Sequence, residues 1–296
     1  MRTCVIFNPV AKGDKARRLR SHLDEIGRHA ALKLTRCAGD AGPLAAEAVR
    51  EGFEIVVAAG GDGTLNEVLN GMAAVTGGLE RARLGVLPLG TVNVFARELR
   101  LPMNLDAAWS VIRRGRDTLI DLPGVEFGPP ESRRSRWFGQ LAGAGLDARA
   151  IELVDWQLKK RIGPLAYVYA GLKALGARKP TLTAAGSGGN FEGQLILVGN
   201  GRLYGGNFRT FPEARMDDGK LDVCVFPRVN FFTLLLCAAP LLLRQRLPER
   251  AVRRFQATTF TLNGPSAATF ELDGELAGQL PVKFSIQPRC LRVIVP

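Results

Sequence analysis

The 296-residue chain is expected to fold as an α/β + β protein: an N-terminal doubly wound α/β domain followed by a C-terminal, mostly antiparallel β-sandwich domain. Three observations lead there. Apolar runs of strand length alternate with helix-spaced segments through the first part of the chain, the pattern of a parallel sheet. One of those runs passes straight into the glycine loop Gly60-Gly61-Asp62-Gly63-Thr64. From Asp117 onward the texture changes to short apolar runs separated by turn clusters. The boundary is set near residue 120, giving domains of 1–120 and 121–296.

Taken in order, Arg2–Phe7 is a short apolar run ending at Asn8-Pro9, a buried strand entering a turn. Residues 15–29 are charged, with Leu19, Leu23 and Ile26 at helical spacing. Leu32–Cys37 reads as a second strand and Pro43–Glu51 as a helix. Glu54–Ala59 is the third strand, Asn66–Met72 a helix and Leu84–Leu89 the fourth strand. In the second part, strands are expected at Leu119–Leu122, Trp137–Ala142, Thr181–Ala185, Gln194–Val198 and Leu221–Phe226. Four more follow at Thr258–Leu262, Thr269–Leu272, Val282–Ile286 and Leu291–Val295. Helical patches interrupt at Ile151–Leu175 and Phe231–Leu243.

Composition narrows the class. Apolar residues at 46% supply a sizeable core and exclude global disorder. A net charge of +12 suits an anionic partner, although Arg-rich composition also follows from GC-rich coding. The five cysteines are scattered without a C-x-x-C pair, which argues against a zinc ribbon or a disulfide framework. With only His22 and His29, a histidine base or histidine metal site has little to draw on. Cys4–Phe7 is too short for a signal peptide, and Val229–Leu243 falls short of the roughly 20 apolar residues a bilayer span requires.

The glycine loop is the strongest local signal. It lies at the carboxyl end of a strand and opens a helix, where open α/β sheets bind ligands. Glycines let the backbone approach a phosphate, and the N–H groups of a helix start attract anions. Thr64 and Asn66 add hydrogen-bonding groups. Asp62 would repel a phosphate unless a Mg²⁺ lay between them. Taken alone, the loop is also compatible with an ordinary capped strand–helix turn. Asn8-Pro9 and Leu89-Gly90-Thr91-Val92-Asn93 follow two other predicted strands, so three polar loops converge on one edge.

With GGDGTLNEVLNG at 60–71 and PLGTVNVFAREL at 88–99, the sequence resembles the diacylglycerol kinase catalytic domain. Over nearly its whole length it is similar to the bacterial YegS-like and DgkB-like lipid kinases, kin of the sphingosine kinases. Later matches are GAGLDA at 143–148, KKRIGPLAYVYAG at 159–171, GNGRLYGGNF at 199–208, ARMDDGKLDV at 214–223 and ELDGE at 271–275. The resemblance implies an ATP- and Mg²⁺-dependent kinase that phosphorylates the hydroxyl of a diacylglycerol-like, sphingosine-like or phosphatidylglycerol-like lipid. It implies nucleotide contacts from Asn8, Thr35, Gly60, Gly61, Asp62, Gly63, Thr64, Leu65, Asn66, Glu67, Gly90 and Thr91. Glu275 matches the family's proton acceptor, with Asp273 supporting it or the metal. A structural Mg²⁺ is implied at the carboxylate of Asp218 and the carbonyls of Arg215 and Lys220. A related kinase acting on a non-lipid hydroxyl, as NAD kinases do with a similar glycine loop, is the alternative, as is a regulator that binds nucleotide or lipid without turnover.

The residues alone leave some of this open. Asp273-Gly274 is also a common hairpin turn, and Asp217-Asp218-Gly219 an ordinary polar one. Gly143–Ala148 fits a dinucleotide fingerprint, but it stands in the β half with no acidic residue at the expected distance. It is assigned instead to a second-domain loop, with Asp147 facing the cleft. Two segments mix basic and apolar residues: Trp156 to Tyr167, and Phe231–Leu243 followed by Arg244 and Arg246. They suit a peripheral contact with an anionic membrane, or are core helices with solvated ends. Arginines spread along the chain with few aromatics disfavour nucleic acid. A cytoplasmic protein, peripheral at the inner membrane face, is the expectation; the oligomeric state is left open.

Overall fold

The computed structural model describes residues 1–9, 25–153, 176, 179–186, 188–243 and 246–296. Most of the first expected helix and of the helical patch after Leu153, including Trp156, Lys159, Lys160, Arg161 and Tyr167, lies outside the described residues, as does Arg244.

The N-terminal part is a βα arrangement. Strands β1 (Thr3–Phe7) and β2 (Ala31–Leu34) are followed by helix α1 (Ala41–Arg50), strand β3 (Ile55–Gly60) and helix α2 (Asp62–Ala73). The short helix α3 (Gly78–Arg81) leads into β4 (Arg83–Pro88), and α4 (Val94–Glu98) and α5 (Leu105–Arg114) close the unit. The four strands are parallel in the order β2-β1-β3-β4, and β1 and β3 are buried at every position. Such continuous apolar strands are what a sheet covered on both faces requires.

The second part begins with β5 (Asp117–Phe127), a 3₁₀ turn at Pro130–Ser132, β6 (Arg134–Trp137), β7 (Leu141–Gly145) and α6 (Leu146–Glu152). Then come β8 (Leu182–Gly186), β9 (Gly189–Gly193), β10 (Leu195–Gly199), β11 (Leu203–Tyr204), β12 (Phe208–Arg209) and β13 (Leu221–Phe226). Helix α7 (Phe231–Leu242) precedes β14 (Arg253–Ala257), β15 (Thr259–Asn263), β16 (Thr269–Leu272), β17 (Glu275–Gln279) and β18 (Val282–Ile294). Six of these strands form an antiparallel sheet, β14-β13-β10-β7-β16-β17.

The halves share a sheet. β18 joins β4 through the parallel pair Val293↔Leu84 and extends the N-terminal sheet through β15, β8 and β9 to ten strands, with β5 and β6 pairing beside it. Residue 120 therefore lies inside β5, which runs antiparallel to β18 from Asp117↔Ile294 to Phe127↔Val282. The two runs expected at Val282–Ile286 and Leu291–Val295 are one strand interrupted by a bulge after Gln287, where Arg289 adopts φ +47°. The far end of this sheet packs on the six-stranded sheet, with Val125, Phe260 and Phe284 facing Ile196, Val223, Phe270 and Leu272. A second core fills the space between the parallel strands and helices α1, α2 and α5.

Helix α2 approaches α1 at Gly71, where an added Cβ would lie 2.8 Å from the Gly42 carbonyl carbon and 2.9 Å from Ala45 Cβ. Both neighbours are fixed in α1, so the helices would have to separate. Gly71→Ala is expected to cost about 1–3 kcal/mol, measured by urea unfolding; an unchanged midpoint would show that the helices move apart freely.

Candidate active site

The carboxyl end of the parallel sheet gathers the predicted loops. Gly60 ends β3 and Gly61 is the N-cap of α2, with no side-chain cap on the helix. The first N–H groups of such a helix have no partner within it and face outward as an anion site. Gly61 and Gly90 meet backbone to backbone: a Cβ on Gly90 would stand 2.5 Å from Gly61 Cα. Asn93, buried at φ +53°, holds that second loop by accepting from Gly90 N–H (3.0 Å) and donating to the Gly90 carbonyl (2.7 Å). Asn8, after β1, donates its amide to Thr64 Oγ1 at 3.3 Å. Thr35, buried after β2, donates its N–H to the Phe7 carbonyl at 3.0 Å. Thr91 is exposed at the rim.

Three residues of the expected nucleotide set point elsewhere. Leu65 is buried in the N-terminal core. Glu67 accepts from the N–H groups of Gly39 (2.8 Å) and Ala41 (3.0 Å), so its carboxylate caps helix α1. Asn66 is buried against the β half: Nδ2 donates to Asp273 Oδ2 (2.8 Å) and to the Trp137 carbonyl (3.1 Å). Asn70, one turn on, pairs with both backbone groups of Trp137, at 2.9 Å each.

The Asp273-Gly274 turn explains why Asn66 matters. Asp273 and Gly274 have φ +49° and +88°, and Leu272 pairs with Glu275 across them, a two-residue hairpin turn with positive φ at both positions. The Asp273 carboxylate accepts from Gly139 N–H (2.7 Å), Gln140 N–H (2.9 Å), Leu141 N–H (3.1 Å) and Asn66 Nδ2 (2.8 Å). A carboxylate has about four acceptor sites, so Asp273 is a latch with nothing left over to ligate a metal. Glu275, next but one, is exposed and lies against the glycine loop, its Oε1 where a Cβ of Gly63 would have to go. Arg136 reaches Glu275 Oε2 at 3.5 Å and donates to Asn66 Oδ1 at 3.0 Å.

Asp62 stands at the α2 N-terminus, accepting from the backbone N–H of Phe95 at 3.4 Å. Burial, and then the negative charge of Asp273, push its carboxyl up to about 6. A divalent cation would relieve both effects. Among the described residues no three Asp, Glu, His or Cys side chains converge on a metal site. Asp62 would then hold a cation together with phosphate oxygens, the manner in which Mg²⁺ is commonly held.

Behind the turn lies a second acidic group. Asp147 Oδ2 and Glu271 Oε1 are shut from solvent with no donor beside them, and both crowd the space a Cβ on Gly143 would fill. Burial raises both carboxyls, Glu271 further through the charge of Asp147. Tyr204 donates its hydroxyl to Asp147 Oδ1, and Glu271 Oε2 accepts from Gly274 N–H at 2.6 Å, bracing the turn from below. Arg215, Asp218 and Lys220 share one turn before β13. There Asp218 Oδ1 accepts from Lys220 N–H (3.0 Å), while Arg215 pairs with Asp217 (3.1 Å). Buried Asp121 fixes that turn to the β18 bulge, accepting from Gly219 N–H (2.6 Å) and Arg289 N–H (2.7 Å). Sequence reasoning missed Asn70, Asp121, Arg136 and Glu271; only Asn70 and Glu271 stand inside motifs it had singled out.

Comparison with known proteins agrees with this layout. Residues 2–125 match the diacylglycerol kinase catalytic domain, and residues 140–295 match the YegS C-terminal NAD kinase beta sandwich-like domain. A diacylglycerol kinase of Bacillus subtilis (strain 168) is 31% identical over 304 residues, covering 100% of this chain and 96% of its own. Among solved structures, a diacylglycerol kinase from Bacillus anthracis str. Sterne superposes with a TM-score of 0.72 at 20% identity, covering 100% of this chain and 97% of that one. Yeast NADH kinase complexed with NADH gives a TM-score of 0.53 at 9% identity, over 100% of this chain and 84% of that one, a likeness of fold.

The raised carboxyl of Asp62 has a measurable consequence. Its folded-state value, about 6, exceeds the ordinary carboxylate value. The folded state therefore holds a proton that the unfolded chain releases, and stability falls as pH rises from about 4 to about 6. Asp62→Asn is expected to match wild type near pH 4 and to gain up to about 3 kcal/mol at pH 8, by urea unfolding at both values. An equal effect at the two pH values would contradict the assignment.

Proposed function

The chain belongs to the diacylglycerol kinase family, and on that footing we propose that it transfers the γ-phosphoryl group of ATP to the hydroxyl of a diacylglycerol-like, sphingosine-like or phosphatidylglycerol-like lipid. It is a lipid kinase; the nucleotide, the metal and the lipid are the proposed part. The observation that carries the reading is the contact of Glu275 with Gly63. It sets the exposed carboxylate of one half on the phosphate-facing loop of the other.

Bound Mg·ATP would supply the phosphoryl group and the positive charge that neutralises its oxygens during transfer. The chain's own residues do the rest. Gly60, Gly61, Gly63 and Gly90 leave the backbone open to phosphate oxygens, and the first N–H groups of α2 stabilise their charge. Asp62 would hold the cation. Glu275 takes the proton of the lipid hydroxyl as its oxygen attacks the γ-phosphorus and the bond to the β-phosphate oxygen breaks, leaving ADP and a lipid phosphomonoester. Asp273 and Arg136 keep Glu275 aimed at the loop. The turn of Arg215, Asp218 and Lys220 has the donors for a structural cation, one carboxylate with backbone carbonyls.

On this reading the enzyme works in the cytoplasm against the inner face of the membrane. No described helix is long and apolar enough to cross a membrane. The second reading, a kinase for a nucleotide-like hydroxyl, is favoured only by the fold shared with NADH kinase.

Purified protein incubated with labelled ATP, Mg²⁺ and a panel of lipids should yield a phosphorylated lipid identified by mass; phosphorylation of NAD(H) alone would favour the second reading. Glu275→Gln should lower kcat by about 10²–10⁴-fold with ATP affinity and melting temperature near wild type, because the side chain keeps its shape and is exposed. A kcat close to wild type in that variant would remove Glu275 as the base.

A further inference from the structure

We propose that helix α7 and the adjoining strand β12 form the surface by which this enzyme docks on an anionic bilayer, an inference that deepens the lipid-kinase reading and rests on it. The sequence of α7, FFTLLLCAAPLL, carries no charge, and no carboxylate occurs from Arg228 through Leu247. One side of the helix anchors it: Cys237 is buried in a core with Val229 and Leu247, and Leu234 packs on that core. The other side is open, with Phe231 61%, Phe232 76% and Leu235 62% exposed. Contiguous exposed apolar surface of this kind marks an interaction site.

The rim indicates the partner. Arg228 and Arg250 line the same hollow as Phe232 and Leu236, and the exposed Arg209 lies on β12, which abuts the helix. Arg246 is instead paired with Glu213 at 3.2 Å. An uncharged helix face with a cationic rim suits the headgroup boundary of an anionic membrane, where each basic residue contributes about 1 kcal/mol. A second copy of the chain fits poorly, because a two-fold interface would set these arginines against themselves.

The surface is continuous with the active site. Tyr204, before the turn between β11 and β12, donates to Asp147 behind the Asp273-Gly274 turn. A Cβ on Gly206, in that turn, would stand 3.4 Å from Val92 of the second nucleotide loop, and Asn207 accepts from Arg97 at 3.3 Å. Phe208 and Arg209 complete the hairpin beside α7. A membrane touching α7 would therefore lie at the edge of the cleft.

The test compares the full-length protein with Phe232→Ser/Leu235→Ser and Arg228→Glu/Arg250→Glu, each checked for an unchanged melting temperature. Partition is measured by sedimentation with phosphatidylcholine vesicles, with and without phosphatidylglycerol. Wild type should bind the anionic vesicles more tightly and release them as salt rises, and each variant should lose at least about tenfold in partition. Turnover on a short-chain, monomeric diacylglycerol should stay within about twofold of wild type, since none of the four residues touches the site. Wild-type partition in both variants would overturn the proposal, as would a dimer that the apolar variant splits without changing vesicle binding. Failure of wild type to phosphorylate any lipid would sink the kinase reading, and the vesicle measurement would still decide the docking surface.

Discussion

Four hydrogen-bond donors converge on one carboxylate, that of Asp273, and the placement of Glu275 against the glycine loop depends on it. Three are consecutive backbone N–H groups of Gly139, Gln140 and Leu141 in the β half; the fourth is the Asn66 amide on the helix that follows the glycine loop. Hydrogen bonds to an ionised acceptor are stronger than neutral ones, and this set spans both halves of the chain. It explains why a hairpin turn and a functional motif coincide. The turn needs residues tolerant of positive φ, which Asp and Gly are, and the Asp side chain then ties the hairpin to the α/β half so that Glu275 faces Gly63.

The latch has an electrostatic cost that suits a kinase. Its charge, added to burial, works against ionisation of Asp62 in the loop opposite. A site with surplus negative charge is poorly suited to a bare phosphate and well suited to phosphate accompanied by a cation. Burial works likewise against ionisation of Asp147 and Glu271, while Glu271 still braces Gly274. Polar groups that would destabilise a core in isolation are here arranged around one turn.

Much of this was legible in the sequence. Continuous apolar strands, the glycine loop at a strand end and the change of texture after Asp117 are local signals, and the parallel and antiparallel sheets follow them. Helix α5 went unread although Asn104 caps its N-terminus and Gly115 closes it at φ +68°. Strand β5 was expected only over Leu119–Leu122, whereas the Trp137 ring covers Gly124 and the strand runs from Asp117 to Phe127. The insertion of β18 beside β4 could not be read, since a pairing between Val293 and Leu84 leaves no local trace. The same holds for the site. Glu67 and Asn66 sit in a motif that points to nucleotide, yet one caps a neighbouring helix and the other secures Asp273. Asp121 and Arg136 act through partners far away in sequence.

Asn66 and Asp273 act as one unit joining the two halves of the site. A double-mutant cycle on Asn66→Ala and Asp273→Asn, read as kcat with lipid and ATP, tests it most directly. Each single change is expected to lower kcat markedly and the double variant to be little worse than the weaker single, with a coupling of about 1–3 kcal/mol. Independent, additive losses, or wild-type kcat in a folded Asp273→Asn protein, would contradict it.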